Sequence, residues 1–259
     1  MSTDLNIRHW PGDPDRPALA LHCMMGTASY WGPIADHLGG RVSLSAFDFP
    51  GHGRSPDWQP APDGPDYHTA ATRLTAALID RPLDLIGHSF GATVALRIAV
   101  AAPEAVRSLT LIEPTFFAAA PSPEDEALSD RLHAALDRGD NEGAARMFLE
   151  IWGQIPLDHL PPVMRTRAIA QMPLVSLTRD VMGYDSANLL GPGRLEAVDM
   201  PVMMIAGADS PPTVGRIIDA LAERLPDVGR ATVPDAGHMV PITHPAEVAG
   251  LIAVNLDRS

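Results

Sequence analysis

Short apolar runs alternate with helical-period patterns along most of the chain. The runs fall at 18–22, 42–47, 83–86, 108–112, 202–206 and 231–233. Runs of this length bounded by turn residues read as buried strands. The intervening patterns predict helices near 29–38, 67–80, 90–101, 212–225 and 245–257. Such alternation implies an α/β fold, with a mostly parallel central sheet flanked by helices on both faces and right-handed crossovers. Only 17 residues precede Ala18, which leaves room for one strand or a tight pair at the sheet edge.

The stretch 114–198 breaks the alternation, because it holds helical patterns and no convincing strand. Ser122 before Pro123 is an N-cap with proline at the first helical position, and Gly139 closes that helix. Further helices are expected over 142–152, 162–170 and 174–182. Met147, Phe148, Ile151, Trp152, Met164 and Met172 recur at helical spacing. That spacing fits core-facing packing, and methionine also suits an adaptable apolar pocket. The chain therefore divides into a core, 1–113 with 199–259, and a helical insertion, 114–198.

Composition narrows the chemistry. The 259 residues, 46% hydrophobic and 20% charged, suit one large domain with an insertion. A net charge of -13 argues against a nucleic-acid partner, whose phosphates it would repel. All nineteen basic residues are arginine. Without lysine there is no Schiff base, no P-loop and no Ser-Lys dyad. Cys23 is the single cysteine, so no internal disulfide forms, which fits a reducing compartment. The N-terminus shows no basic-then-apolar leader, and no run of eighteen apolar residues occurs. A cytoplasmic location and a small-molecule substrate are expected, with no membrane partner.

The candidate chemistry begins at Gly87-His88-Ser89-Phe90-Gly91, which fits Gly-x-Ser-x-Gly between an apolar run and a helical one. A serine on a tight strand-to-helix turn has the geometry of a nucleophile elbow. In open α/β sheets the chemistry gathers beyond the C-terminal strand ends. There the chain places Asp209 after 202–206 and His238 after 231–233. A serine hydroxyl needs an imidazole to take its proton, and a carboxylate fixes that imidazole's tautomer. The expected catalytic set is Ser89, His238 and Asp209, with Glu113 after 108–112 as the alternative acid. Asp235 is expected to cap its turn. Backbone donors to the developing oxyanion are expected from Phe90 and from Met24 in His22-Cys23-Met24-Met25-Gly26. His22, His52 and His88 read as structural. His238 and His244 are six apart, a poor metal spacing, so neither metal nor cofactor is expected.

Together these stretches, with Asp48-Phe49-Pro50-Gly51-His52-Gly53-Arg54-Ser55, Gly207-Ala208-Asp209 and Gly237-His238, resemble the α/β-hydrolase fold family nearly end to end. The resemblance implies a helical cap over 114–198 that covers the pocket and sets substrate choice. It departs at Cys23, where the family usually carries glycine; a side chain there alters how the Met24 N–H is presented. The activity implied is hydrolysis of an ester, thioester or lactone of a small, largely apolar acid through an acyl-enzyme. The same three residues serve family members that cleave carbon–carbon bonds of ring-cleavage diketones, and cofactor-free peroxidase-like members. Receptors of this fold make a non-catalytic ligand-binding protein the remaining alternative.

Overall fold

The computed structural model describes residues 4–259; the first three residues, which begin the stretch read as lacking a leader, lie outside the described residues. Seven strands form one sheet: β1 (Ile7–Trp10), β2 (Pro17–Leu21), β3 (Ser43–Phe47), β4 (Leu83–His88), β5 (Val106–Ile112), β6 (Val202–Gly207) and β7 (Val228–Val233). Their order is β1-β3-β2-β4-β5-β6-β7. Every pairing is parallel except β1 with β3, where Ile7 faces Phe47 and Trp10 faces Leu44. The short N-terminal arm thus supplies one antiparallel edge strand.

The central strands are mostly apolar because both faces are covered, with buried exceptions such as Asp84 in β4, which pairs with Arg16 (2.9 Å). All six positions of β4 and of β6 are buried. Side chains alternate between two cores, as the two-residue strand period requires. Leu19, Leu21, Leu85 and Leu111 point into one, and Ala18, Ala20, Ile86 and Ile112 into the other. The first core is closed by α2 (Tyr67–Ala76), α3 (Phe90–Ala101) and α8 (Pro212–Ala222). The second is closed by α1 (Gly32–Leu38), α9 (Val240–Thr243) and α10 (Pro245–Leu256).

Between β5 and β6 the described chain has no strand. It forms α4 (Pro123–Asp137), α5 (Asn141–Phe148), α6 (Pro162–Ser176) and α7 (Arg179–Tyr184). Ser122 caps α4, its Oγ accepting from the Asp125 N–H. The helix expected over 142–152 changes at Leu149 into a wide π turn, which ends at Gln154 with φ +51°. The break expected between 170 and 174 falls later, because α6 runs through Pro173. Proline there lacks the N–H that would reach the Ile169 carbonyl, yet the helix continues for a further turn. These helices share a small core of Ala135, Ala144, Ala145, Leu157, Ala168 and Met172.

Candidate active site

β4 ends in a turn that no ordinary residue adopts comfortably. Ser89 sits at φ 55°, ψ -115°, outside the usual allowed regions, and α3 begins at the next residue. The strain is held from both sides. The Ser89 N–H donates to the Ile112 carbonyl (2.9 Å), and the Ser89 carbonyl accepts from Ala92 and Thr93. The flanking glycines are required by close approach. A Cβ on Gly87 would lie 2.4 Å from the Gly91 oxygen, and one on Gly91 would lie 2.4 Å from the Leu21 oxygen.

The turn presents Ser89 Oγ 3.0 Å from His238 Nε2, and His238 Nδ1 lies 2.9 Å from Glu113 Oε2. With Nδ1–H donating to the carboxylate, Nε2 is left as an acceptor for the serine proton. The carboxylate beside the histidine is thus that of Glu113, and the expectation of Asp209 is corrected. β6 ends at Gly207, and Asp209 follows in an exposed turn closed by the Ser210 N–H on the Gly207 carbonyl. Its backbone oxygen accepts from Gln154 Nε2 (2.8 Å). Glu113 lies at the end of β5, between the nucleophile strand and β6, and is fully buried at φ +51°. Its Oε1 accepts from the Gly207 N–H and from Ser210 Oγ (2.7 Å), which leaves Oε2 for His238. The Gly-Ala-Asp stretch therefore contributes a backbone donor that holds the carboxylate.

The loop 22–26 is fixed by hydrogen bonds on nearly every polar atom. His22 Nδ1–H donates to the Cys23 carbonyl (2.7 Å), and its Nε2 accepts from the Phe49 N–H (2.9 Å). The Cys23 N–H donates to Tyr30 Oη, the Met25 N–H to His52 Nε2, and the Gly26 N–H to the Cys23 carbonyl. Among the described residues, the Met24 N–H is the donor of this turn without a partner. Met25 takes φ +63°, a position of the turn that favours glycine. Burial holds the imidazoles of His22 and His52 neutral, their pKa values lowered to about 4 and about 3. The Cys23 thiol is pushed up to about 12 by burial, so it carries no thiolate at neutral pH.

Tyr30 and His88, which sequence motifs do not link, join the two halves of the site. The Cys23 N–H donates to Tyr30 Oη (3.0 Å), Tyr30 O–H donates to His88 Nδ1 (3.0 Å), and His88 Nε2–H donates to the His238 carbonyl (2.9 Å). The His238 carbonyl can only accept, so a neutral His88 carries its proton on Nε2, its Nδ1 accepts, and the direction of the whole chain is set. Burial keeps His88 neutral, its pKa well below the ordinary value, as this tautomer requires.

Ser89, Met24 and Phe90 open onto a cavity of 580 Å³ between the sheet edge and the helices of 114–198. Phe117, Leu132, Phe148, Trp152, Val175 and Met182 give it an apolar wall. The Trp152 ring meets the His238 ring edge-on, centroids 4.8 Å apart. Among the described residues, no group of three or more His, Cys, Asp or Glu side chains is placed to hold a metal ion, and no helix is long and apolar enough to cross a membrane.

A parallel sheet carrying a strained serine at a strand end, with its histidine and carboxylate on neighbouring loops, defines the α/β-hydrolase class. The chain belongs to the alpha/beta hydrolase family, whose model matches residues 18–251. It is 30% identical to the lipase LipV of Mycobacterium tuberculosis over 99% of both chains. It is 31% identical to the pimeloyl-[acyl-carrier protein] methyl ester esterase of Methylococcus capsulatus, over 86% of this chain and 87% of that one. Among solved structures, a hydrolase from Pseudomonas aeruginosa PA01 superposes with a TM-score of 0.71 at 25% identity, covering 96% of this chain and 93% of that one.

Proposed function

We propose that the protein is a carboxylic-ester hydrolase working through a Ser89–His238–Glu113 triad. The observation that carries this reading is the unbroken line from Ser89 Oγ to His238 Nε2 to Glu113 Oε2, at 3.0 and 2.9 Å. Ser89 Oγ attacks the ester carbonyl as His238 Nε2 takes its proton, and Glu113 stabilises the imidazolium. The oxyanion is received by the Met24 N–H, free in its turn, and by the Phe90 N–H at the start of α3. The imidazolium then returns the proton to the departing alcohol. Water, deprotonated at Nε2, releases the acid from Ser89. The esterase and lipase names of the relatives support this reaction class.

The helices of 114–198 act as the cap in this reading, and their apolar wall selects the substrate. A 580 Å³ cavity is in the range that small-molecule sites occupy. It suits an ester, thioester or lactone with a largely apolar acyl group. The test is labelling with a fluorophosphonate, followed by hydrolysis rates over a series of p-nitrophenyl esters of rising chain length. Labelling is expected on Ser89 in the wild type and is expected to vanish in Ser89→Ala. Equal labelling of the two proteins overturns the nucleophile assignment.

A further inference from the structure

A second cavity, of 310 Å³, lies on the other side of the 22–27 loop from Ser89. Met24 lines the first cavity, and Thr27 the second. It is open to solvent and its wall contains no apolar side chain: the exposed Arg8, Arg54 and Arg167 rim it, with the hydroxyls of Thr27 and Ser29 and the carboxylate of Asp48. These arginines come from three places, β1, the loop after β3, and α6 of the insertion.

Among the described residues, none of these three guanidiniums is neutralised by an ion pair, in a chain rich in carboxylates. Acids outnumber bases 32 to 19, and ten of the nineteen arginines form ion pairs with carboxylates. Three of the other nine meet in this cavity, and among the described residues none of their guanidiniums has an ion pair or hydrogen bond. Asp48 contributes one negative charge to the cavity but makes no ion pair with these arginines. Its carboxylate is buried and already accepts from the Ala28 N–H (2.7 Å), Asn6 Nδ2 (2.7 Å) and the Arg54 N–H (2.9 Å). Like charges gathered without a counterion repel one another, and the repulsion is relieved by an anion.

We propose that this cavity binds a phosphate-type dianion. Three guanidiniums against one carboxylate leave two positive charges, which match a phosphate or phosphomonoester near neutral pH. Guanidinium forks bond phosphate oxygens in pairs, and the two hydroxyls supply further donors. A monocarboxylate offers too few oxygens for this donor set. The volume equals about ten water molecules at ~30 Å³ each, ample for a phosphate group.

The site straddles the seam between core and insertion. One turn beyond Arg167 on α6, Gln171 Nε2 donates to the Gly51 carbonyl (2.9 Å). Leu174 packs so closely that a Cβ on Gly51 would lie 2.6 Å from it. The anion adds an ionic clasp beside these contacts and holds α6, which also lends Val175 to the first cavity, against the core.

The test is thermal unfolding in ~10 mM inorganic phosphate against chloride at equal ionic strength, with calorimetric titration of phosphate. A Tm rise of about 3 °C and one-site binding near millimolar affinity are expected. The Arg54→Gln/Arg167→Gln double variant is expected to lose the rise, Arg8→Gln to reduce it, and Arg73→Gln, on α2 outside the cavity, to keep it. The Tm of each variant in chloride checks that it folds. Butyl phosphate in place of phosphate separates the two sources: a rise equal to or above that of phosphate identifies an esterified group, a smaller one the free ion. A rise no larger than chloride gives, or one retained by the double variant, overturns the site. Repeating the titration on Ser89→Ala keeps the outcome independent of the triad.

Discussion

The Nδ1 of His238 has a carboxylate oxygen 2.9 Å away, and it belongs to Glu113. Replacing that oxygen by an amide keeps the shape but favours the wrong histidine tautomer. Glu113→Gln is therefore expected to lower kcat by about 10³- to 10⁴-fold on a p-nitrophenyl ester. Asp209→Asn, in an exposed turn, is expected to stay within about two-fold of the wild type. The reverse ranking in the same assay would sink the assignment. The hydroxyl of Tyr30 gives a subtler case, because it holds the Cys23 N–H next to the free Met24 donor. Tyr30→Phe leaves that N–H unpaired, and about tenfold is expected from kcat with KM within two-fold. A transition-state analogue such as a boronic acid should weaken in parallel. Ser89 and His238 were legible in the sequence because a glycine-flanked serine and a post-strand histidine are local signals. Glu113 was visible only as the second choice. Two strand ends each offered a carboxylate, and which side chain crosses to the histidine depends on the positive φ at 113 and on the Gly207 donor, neither of which is local to the motif.

Strands were the most legible elements. Burial on both faces makes β6 read as an unbroken apolar run and β4 as one interrupted only by Asp84 before its terminal Gly87-His88. The stretch between β5 and β6 was legible as helical but not in its breaks. Proline at 173 argues for a stop, and tertiary packing on the 51–54 loop carries α6 past it. The glycines show how differently the same residue acts in different elements. At Gly91 a Cβ would meet two carbonyl oxygens of β2 and the loop after it, at 2.4 and 2.7 Å, so α3 must lift from the sheet. Gly91→Ala is expected to lower stability by about 1–3 kcal/mol. Gly250 is exposed within α10, and a Cβ there would have nothing within 4 Å. Gly250→Ala is expected to raise stability by about 0.5–1 kcal/mol. Urea midpoints at constant m-value measure both, and a shared sign would contradict the packing argument.

For the whole molecule, pH sets two opposing effects. The net charge of -13 at pH 7 shrinks toward the isoelectric point near 5.0, which relieves self-repulsion as pH falls. Buried histidines act the other way. Burial lowers His22 to about 4 and His52 and His68 to about 3, and takes His88 well below its ordinary value. An unfolded chain protonates the same imidazoles near pH ~6.5. Between those limits the unfolded state binds more protons, so this stability is complete above pH ~6.5 and is lost as pH falls toward 4. Each histidine costs about 1.4 kcal/mol per pH unit in that window, so the four together cost about 5.6. Surface repulsion is mostly screened at ~0.15 M salt, where the Debye length is about 8 Å. The histidines should therefore win, and a domain of ordinary stability, about 5–15 kcal/mol, should unfold between pH ~5 and ~4. Far-UV circular dichroism against pH at that salt concentration reads the transition. His68→Gln, on α2 where the ring meets Phe90 edge-on, should make it shallower by about one proton. A Tm constant from pH 7 to 4.5 would show that these imidazoles charge within the fold, and so that the hydrogen bonds holding the 22–26 loop do not depend on their neutrality.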